Sequence, residues 1–104
     1  MNYGIYNEKL TIILVSFHSN HIIENLINTL EKDIRIIVVE NSLNKELKPY
    51  LEKKFKNVQV IVPKKNLGNG GGINLGLGLV KTEFSLYLDP DIKPEKDMID
   101  ILLK

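Results

Sequence analysis

The chain has 104 residues, no cysteine, a formal net charge of +1 and 43% hydrophobic residues. This composition predicts one folded globular domain and excludes a disulfide framework or thiolate chemistry. The near-neutral charge gives no case for a nucleic-acid partner, and no apolar stretch approaches the ~20 residues of a membrane span. The N-terminus lacks a basic region followed by an apolar core, so we expect no signal peptide and a cytoplasmic location.

Short apolar runs alternate with amphipathic stretches along the chain. The runs are too short for helices and predict four buried strands, at 10–17, 34–39, 58–62 and 84–88. A first helix is predicted by an apolar stripe at helical spacing, made of Ile22, Ile23, Leu26, Ile27 and Leu30. A second is predicted by Leu43, Leu47, Leu51 and Phe55, with Pro49 tolerable only in its first turn. A third is predicted from about Asn69 to Lys81, with Ile73, Leu77 and Val80 on one face, and a last begins at Pro94.

Strands that alternate with helices predict an α/β fold with parallel pairing through right-handed crossovers. In such sheets, ligands bind beyond the carboxyl ends of the strands. Each predicted strand ends here in polar or flexible residues: Ser16-Phe17-His18-Ser19, Glu40-Asn41-Ser42, the Lys64–Asn66 turn, and Asp89-Pro90-Asp91. The shared edge favours a binding site more than any single motif does.

The pair Asp89 and Asp91 is the candidate metal site. Two carboxylates one residue apart at the end of a buried strand can share one hard cation. The same three-residue pattern also forms turns in which an aspartate caps the next helix. Its position after a glycine-rich crossover favours metal binding.

The segment from Pro63 to Gly78 is rich in asparagine and glycine. It fits a flexible turn with close helix–sheet packing, and it also fits a ligand cradle, because N–H groups at a helix N-terminus can hold phosphate. It matches neither the P-loop pattern nor the dinucleotide fingerprint, whose third glycine position is here Ile73. Glu40 is either a solvated strand-end carboxyl or an acceptor for a base or ribose. For His18 and His21, capping or surface roles are favoured over a metal pair.

Taken in order, these motifs resemble the family 2 glycosyltransferases, closest to the rhamnosyltransferase-like branch. The resemblance runs from Leu10 onward and rests on Ser16-Phe17-His18, Glu40-Asn41-Ser42, Asn66-x-Gly68 with Asn74-x-Gly76, and Leu88-Asp89-Pro90-Asp91. It implies a three-layer, Rossmann-like GT-A fold with a mostly parallel sheet. It also implies that residues 1–104 form the nucleotide-sugar-binding half of a transferase domain. The reaction would move a sugar from a nucleotide-diphosphate donor to an acceptor hydroxyl with inversion.

The resemblance also implies roles for single residues. Ser16 and Phe17 would line the base pocket, and Glu40 with Asn41 would contact the nucleoside. The floor around nucleotide and sugar would be shaped by Asn66, Gly68, Asn74 and Gly76. Asp89 and Asp91 would match the D-x-D motif and hold Mg²⁺ or Mn²⁺ against the diphosphate, with Asp89 also at the nucleotide sugar. Glu40 is one methylene longer than the family's usual aspartate, and Phe17 lacks the hydroxyl of the commoner tyrosine.

The resemblance places the acceptor-binding half and the general base beyond Lys104, so we expect a truncated transferase that binds donor and metal but transfers no sugar alone. The acceptor would be a glycan or lipid-linked molecule of unknown identity. In the full-length parent, peripheral attachment at the inner membrane is compatible with this function. Two alternatives stay open: a non-catalytic nucleotide- or metal-binding α/β module, and a receiver-like or flavodoxin-like domain. A receiver should carry an acidic cluster after its first strand, where Ser16–Ser19 has no acid.

Overall fold

The computed structural model describes residues 9–90, in which four strands alternate with three helices. The strands are β1 (Leu10–Ser16), β2 (Arg35–Glu40), β3 (Val58–Ile61) and β4 (Phe84–Tyr87). The helices are α1 (Asn20–Thr29), α2 (Leu47–Lys54) and α3 (Gly68–Leu77). The four predicted strands and the first three predicted helices are confirmed, with ends shifted by a few residues. The predicted burial of the fourth strand is wrong for the described residues, because Phe84 and Ser85 are exposed and Leu86 and Tyr87 are only partly buried. The helix predicted from Pro94 lies outside the described residues.

The strands form one sheet in the order β3-β2-β1-β4, and every neighbouring pair is parallel. Strand β1 is central and all seven of its residues are buried. Parallel pairing brings the ends of all strands to one side of the sheet, which we call the carboxyl edge. Ser16 of β1 lies there beside Glu40 of β2 in the register of the sheet.

Helices cover both faces of the sheet, which confirms the three-layer α/β architecture. One face packs against α1 and α2 through Ile12, Leu14, Ile36, Val38, Ile23, Leu26, Leu47 and Leu51. The other face packs against α3 through Val15, Ile37 and Val39, with partly buried Ile73 and Leu75. Because both faces are covered, β1 and β2 are continuous apolar runs rather than alternating ones.

In the first two predicted helices, two residues predicted to face the core do not. Ile22, in the predicted stripe of α1, is 43% exposed. Leu43, predicted as the first apolar position of the second helix, is 40% exposed and has a left-handed φ of 64°. Helix α2 begins only at Leu47, and Pro49 therefore lies in its first turn, where the missing N–H costs nothing.

Helix α3 packs through glycines, and the predicted apolar face of this helix is only partly confirmed, because Ile73 and Val80 pack against the core but Leu77 does not. Leu77 is 45% exposed and Val80 follows the end of the helix, whereas Gly72 and Gly76 are buried. A Cβ atom on Gly76 would lie 2.7 Å from Cγ2 of Ile13, so the helix backbone approaches β1 more closely than a side chain would permit. Hydrophobic periodicity misses this face because glycine carries no apolar side chain.

Candidate functional site

Two polar residues close the central strands at the carboxyl edge. Ser16 and Glu40 are both fully buried and lie side by side at the ends of β1 and β2. Strand alternation puts both side chains on the sheet face covered by α1 and α2, in line with Leu14 and Val38. Polar side chains are rare at such positions unless something binds them.

Glu40 is held by a local interaction that the sequence analysis missed. Its Oε1 accepts hydrogen bonds from the backbone N–H of Ser42 at 3.1 Å and from the Ser42 hydroxyl at 2.6 Å. A serine two residues after a strand-end acid is the pattern that could have indicated this bond. The interaction fixes one carboxyl oxygen and leaves the other available.

Two buried oxygens at this point lack a partner within residues 9–90: Oε2 of Glu40 and Oγ of Ser16. An unsatisfied buried polar group costs about 1–3 kcal/mol, so a pair of them on adjacent strands is unusual in a purely structural role. Both atoms can accept a hydrogen bond, and the serine hydroxyl can also donate one. The arrangement suits a ligand that brings a donor group to the ends of β1 and β2.

Asn41 joins three segments of the carboxyl edge. Its backbone N–H donates to the carbonyl of Ser16 at 2.7 Å, which extends the pairing of β1 with β2. Its side chain accepts from the N–H of Leu67 at 3.2 Å and donates to the carbonyl of Gly68 at 2.8 Å. The turn that opens α3 is therefore anchored to the strand ends by a buried amide.

The turn itself is shaped by Asn66 and Gly68. Oδ1 of Asn66 accepts from the N–H of Gly68 at 2.8 Å, an Asx-type turn. Gly68 has φ of 73°, which L side chains rarely adopt, and a Cβ there would meet nothing within 4 Å. The backbone geometry therefore requires this glycine, and open space lies in front of it.

The four predicted floor residues do not come together. Asn66 and Gly68 lie at the carboxyl edge with Asn41, whereas α3 carries Asn74 and Gly76 about 9 and 12 Å further along its axis. Asn74 is exposed, and Gly76 faces Ile13 in the helix–sheet interface. The structure thus gives Gly76 a packing role, and a ligand role for Asn74 and Gly76 stays a prediction.

Phe17 follows β1 at the same edge and is 53% exposed. Its ring meets the ring of His18 edge-on, with centroids 4.4 Å apart, and His18 has a left-handed φ of 53°. The Ser19 hydroxyl donates to the carbonyl of Phe17 at 2.9 Å and does not cap α1. This turn places a half-exposed aromatic ring at the carboxyl edge, and such a ring can stack against a planar ligand.

Asp89 lies two residues beyond β4 and is exposed at the carboxyl edge. The N–H of Leu88 still bonds to the carbonyl of Ile13 at 3.2 Å, so the sheet positions the chain up to this point. A carboxyl oxygen is the donor type that Mg²⁺ and Mn²⁺ prefer, and Asp89 fits such an ion. Its predicted partner, Asp91, lies outside the described residues. Within residues 9–90, no three His, Cys, Asp or Glu side chains are grouped to hold a metal ion.

Tyr87 links β4 to the first turn of α3, a contact that the sequence analysis also missed. Its hydroxyl donates to Oδ1 of Asn69 at 3.2 Å. The bond brings the strand that leads to Asp89 against the start of the helix that follows Gly68. The glycine-rich turn and the end of β4 are therefore close neighbours.

Within residues 9–90, the groups with clearly shifted pKa values are Glu24 on α1 and Glu52 and Lys54 on α2. Hydrogen bonds from Lys54 and Tyr50 lower the pKa of Glu24, and the same ion pair raises the pKa of Lys54. Burial opposes the shift at Glu52, but bonds from Lys48 and the N–H of Val60 lower its pKa overall. These shifts come from structural ion pairs, one between α1 and α2 and one within α2, rather than from the candidate site.

A family model described as Glycosyl transferase family 2 matches residues 11–104. The match covers most of the chain, and the chain belongs to this family of glycosyltransferase-like enzymes. Its four-stranded parallel sheet with three helices agrees with the Rossmann-like part of the GT-A fold. A search of the curated proteins gave no match. None of the helices within residues 9–90 has the length and apolar character needed to cross a membrane.

Proposed function

We propose that this chain is the nucleotide-sugar-binding half of an inverting glycosyltransferase domain. The donor is a nucleotide-diphosphate sugar bound at the carboxyl edge, and the acceptor is a glycan or lipid-linked hydroxyl. The observation that carries the proposal is the pair of unpartnered buried oxygens on Ser16 and Glu40. Family membership supplies the reaction class.

Residues at different strand ends bind different parts of the nucleotide in this proposal. Phe17 offers its exposed ring to the base, and Oε2 of Glu40 accepts a hydrogen bond from the nucleoside. The turn at Gly68, anchored by Asn41, brings backbone close to the diphosphate at the N-terminus of α3, where N–H groups and the helix dipole favour negative charge.

Asp89 and Asp91 hold Mg²⁺ or Mn²⁺ beside the diphosphate in this proposal. Members of the family generally use a divalent metal. When bound, such an ion neutralises negative charge on the departing nucleotide diphosphate. Asp89 is exposed and close to the first turn of α3 through the Tyr87–Asn69 bond, which suits a group that meets the phosphates. The general base is assigned to none of the described residues.

Calorimetric titration with UDP-, dTDP- and GDP-sugars tests this function. We expect one of these donors to bind in the presence of Mg²⁺ or Mn²⁺, and binding to fall by at least about tenfold with EDTA or in Asp91→Asn. Glu83→Gln is the matched control, because Glu83 is an exposed acid just before the opposite end of β4. If a donor binds with equal affinity in the presence of EDTA, the assignment of a metal to this site is contradicted. No binding of any donor by a folded chain would contradict the nucleotide-sugar function.

A further inference from the structure

Strand β3 forms a free edge of the described sheet. It pairs with β2 on one side, with Val38 opposite Val60, and the N–H of Ile36 bonds to the carbonyl of Asn57 at 2.9 Å. Backbone groups of successive residues in a parallel strand point to alternate sides. Asn57, Gln59 and Ile61 therefore pair with β2, and the backbone groups of Val58 and Val60 point outward.

The edge sequence is well suited to strand pairing. Residues 58–62 read V-Q-V-I-V, without a charge, glycine or proline until Pro63. Short segments of high β propensity with no charge are the ones that add to another strand when they lie at an exposed edge. Nothing in the side chains of β3 itself opposes such an addition.

Two side chains of α2, which we call the edge clamp, occupy the outward groups of Val60. Oε2 of Glu52 accepts from the N–H of Val60 at 2.8 Å, and Nζ of Lys48 donates to the carbonyl of Val60 at 2.9 Å. Lys48 and Glu52 also bond to each other at 2.7 Å. One acceptor and one donor thus stand where a neighbouring strand would present its own carbonyl and N–H.

The outward N–H of Val58 is satisfied as well. It donates to the carbonyl of Phe55 at 3.3 Å, in the turn that follows α2. Both outward donors of β3 are therefore occupied by α2 or by the residues directly after it. The helix is fixed by Leu47 and Leu51 in the core, which places Lys48 and Glu52 over the strand.

The stability gained from the ion pair between Lys48 and Glu52 does not explain why both side chains lie on the edge of β3. The Lys48 and Glu52 side chains are 47% and 32% exposed, and exposed pairs at i, i+4 add little to stability. Their distinctive feature is that both ions bind the same backbone residue on a strand edge. That geometry fits a device that blocks strand addition, one of the known ways in which edges are protected.

We propose that the edge clamp keeps β3 from pairing with β3 of a second copy of this chain. Without the clamp, two copies would join their β3 edges antiparallel about a two-fold axis and form one continuous sheet across both copies. A second copy is the expected occupant because it presents the same uncharged segment at the same kind of edge. The clamp thus makes β3 a latent self-association edge.

The test is the double variant Lys48→Ala/Glu52→Ala, studied by analytical ultracentrifugation over a range of concentrations. Alanine favours the helix, so α2 is retained while the outward groups of Val60 are freed. We expect the double variant to dimerise or form larger species at concentrations where the wild-type chain is monomeric. The matched control is Glu24→Ala/Lys54→Ala, which also deletes an ion pair of α2 but frees no strand backbone.

Amide hydrogen exchange locates the effect in the structure. It also tests the clamp through the single variant Glu52→Ala if the double variant does not fold. In dilute, monomeric samples, we expect the Val60 amide to exchange about tenfold faster in Glu52→Ala than in wild type, since one hydrogen bond is lost. In the associated double variant, the amide of Val60 should become protected again. Equal Val60 exchange in wild type and Glu52→Ala would overturn the clamp. A folded double variant that stays monomeric, or a control that associates equally, would overturn its role in blocking self-association.

Discussion

The side-chain amide of Asn41 donates to the carbonyl of Gly68 at 2.8 Å and thereby ties the end of β2 to the start of α3. The same amide accepts from the N–H of Leu67 at 3.2 Å, so both of its polar atoms are used. Asn41 is almost completely buried, and these bonds are shielded from water. The glycine turn is therefore a fixed part of the carboxyl edge.

Replacing Asn41 should destabilise the fold and distort the turn. Asn41→Ala leaves the N–H of Leu67 and the carbonyl of Gly68 without their partner, and we expect a loss of about 1–3 kcal/mol in the free energy of unfolding. Asn41→Asp should lose at least as much, because a carboxyl oxygen would face the Gly68 carbonyl. Urea denaturation measures both. Asn74 is exposed, so Asn74→Ala serves as the control and should stay within about 0.5 kcal/mol of wild type. An equally small loss for Asn41→Ala would show that the Asn41 side chain does not anchor the turn.

Two glycines of α3 should respond in opposite ways to the same substitution. Gly76→Ala brings a Cβ to 2.7 Å from Cγ2 of Ile13 and should cost about 1–3 kcal/mol. Gly70→Ala meets nothing within 4 Å and should stabilise the helix by up to about 1 kcal/mol. Thermal or urea unfolding of the two variants gives the comparison. Equal effects would mean that α3 does not pack on β1 through Gly76.

An independent check on this packing uses Ile13. Truncation in Ile13→Ala removes the atom that the new methyl would meet. In a double-mutant cycle, Gly76→Ala should therefore cost less on the Ile13→Ala background than on wild type. Strict additivity of the two changes would show that the strain is relieved elsewhere.

The sequence predicts the fold well because the two inner strands, β1 and β2, are buried on both faces. Runs such as 34–39 carry a strong apolar signal, and the polar residues that end them mark the carboxyl edge. The same logic fails in part for α3, whose fully buried positions are Gly72 and Gly76. A periodic apolar pattern is made by side chains, so positions where glycines pack against the sheet leave no such pattern.

The sequence predicts which polar residues lie at the carboxyl edge, but it does not predict the hydrogen bonds that join them. Glu40 and Asn41 were singled out because they follow a buried strand. Their partners depend on three-dimensional placement: Asn41 reaches a turn 26 and 27 residues away in the sequence. The clamp on Val60 likewise becomes visible only when α2 lies over β3, since in the sequence Lys48 and Glu52 are an ordinary helical ion pair.

The contact of Glu24 with Lys54 and Tyr50 predicts a defined pH dependence. These bonds lower the pKa of Glu24 below its ordinary 4.5, so its stabilising contribution is present above pH 4.5 and is lost as the pH falls through the lower, folded-state value. Glu24→Gln should melt at a lower temperature than wild type at pH 7, and the difference should shrink in more acidic solution. Added salt should also reduce it. A difference that is independent of pH would indicate lost packing rather than lost charge.

Gly68 allows backbone strain to be separated from ligand contact. Its φ of 73° is costly for most L residues but is tolerated best by asparagine. Stability should therefore fall from wild type through Gly68→Asn and Gly68→Ala to Gly68→Val, with about 1–2 kcal/mol lost for alanine. If the turn also brings backbone close to a diphosphate, any side chain at this position obstructs the ligand. Calorimetry on the folded variants should then show weaker nucleotide-sugar binding in Gly68→Asn as well. Wild-type affinity in Gly68→Asn would mean that the glycine serves the turn alone and that the phosphates lie elsewhere along the edge.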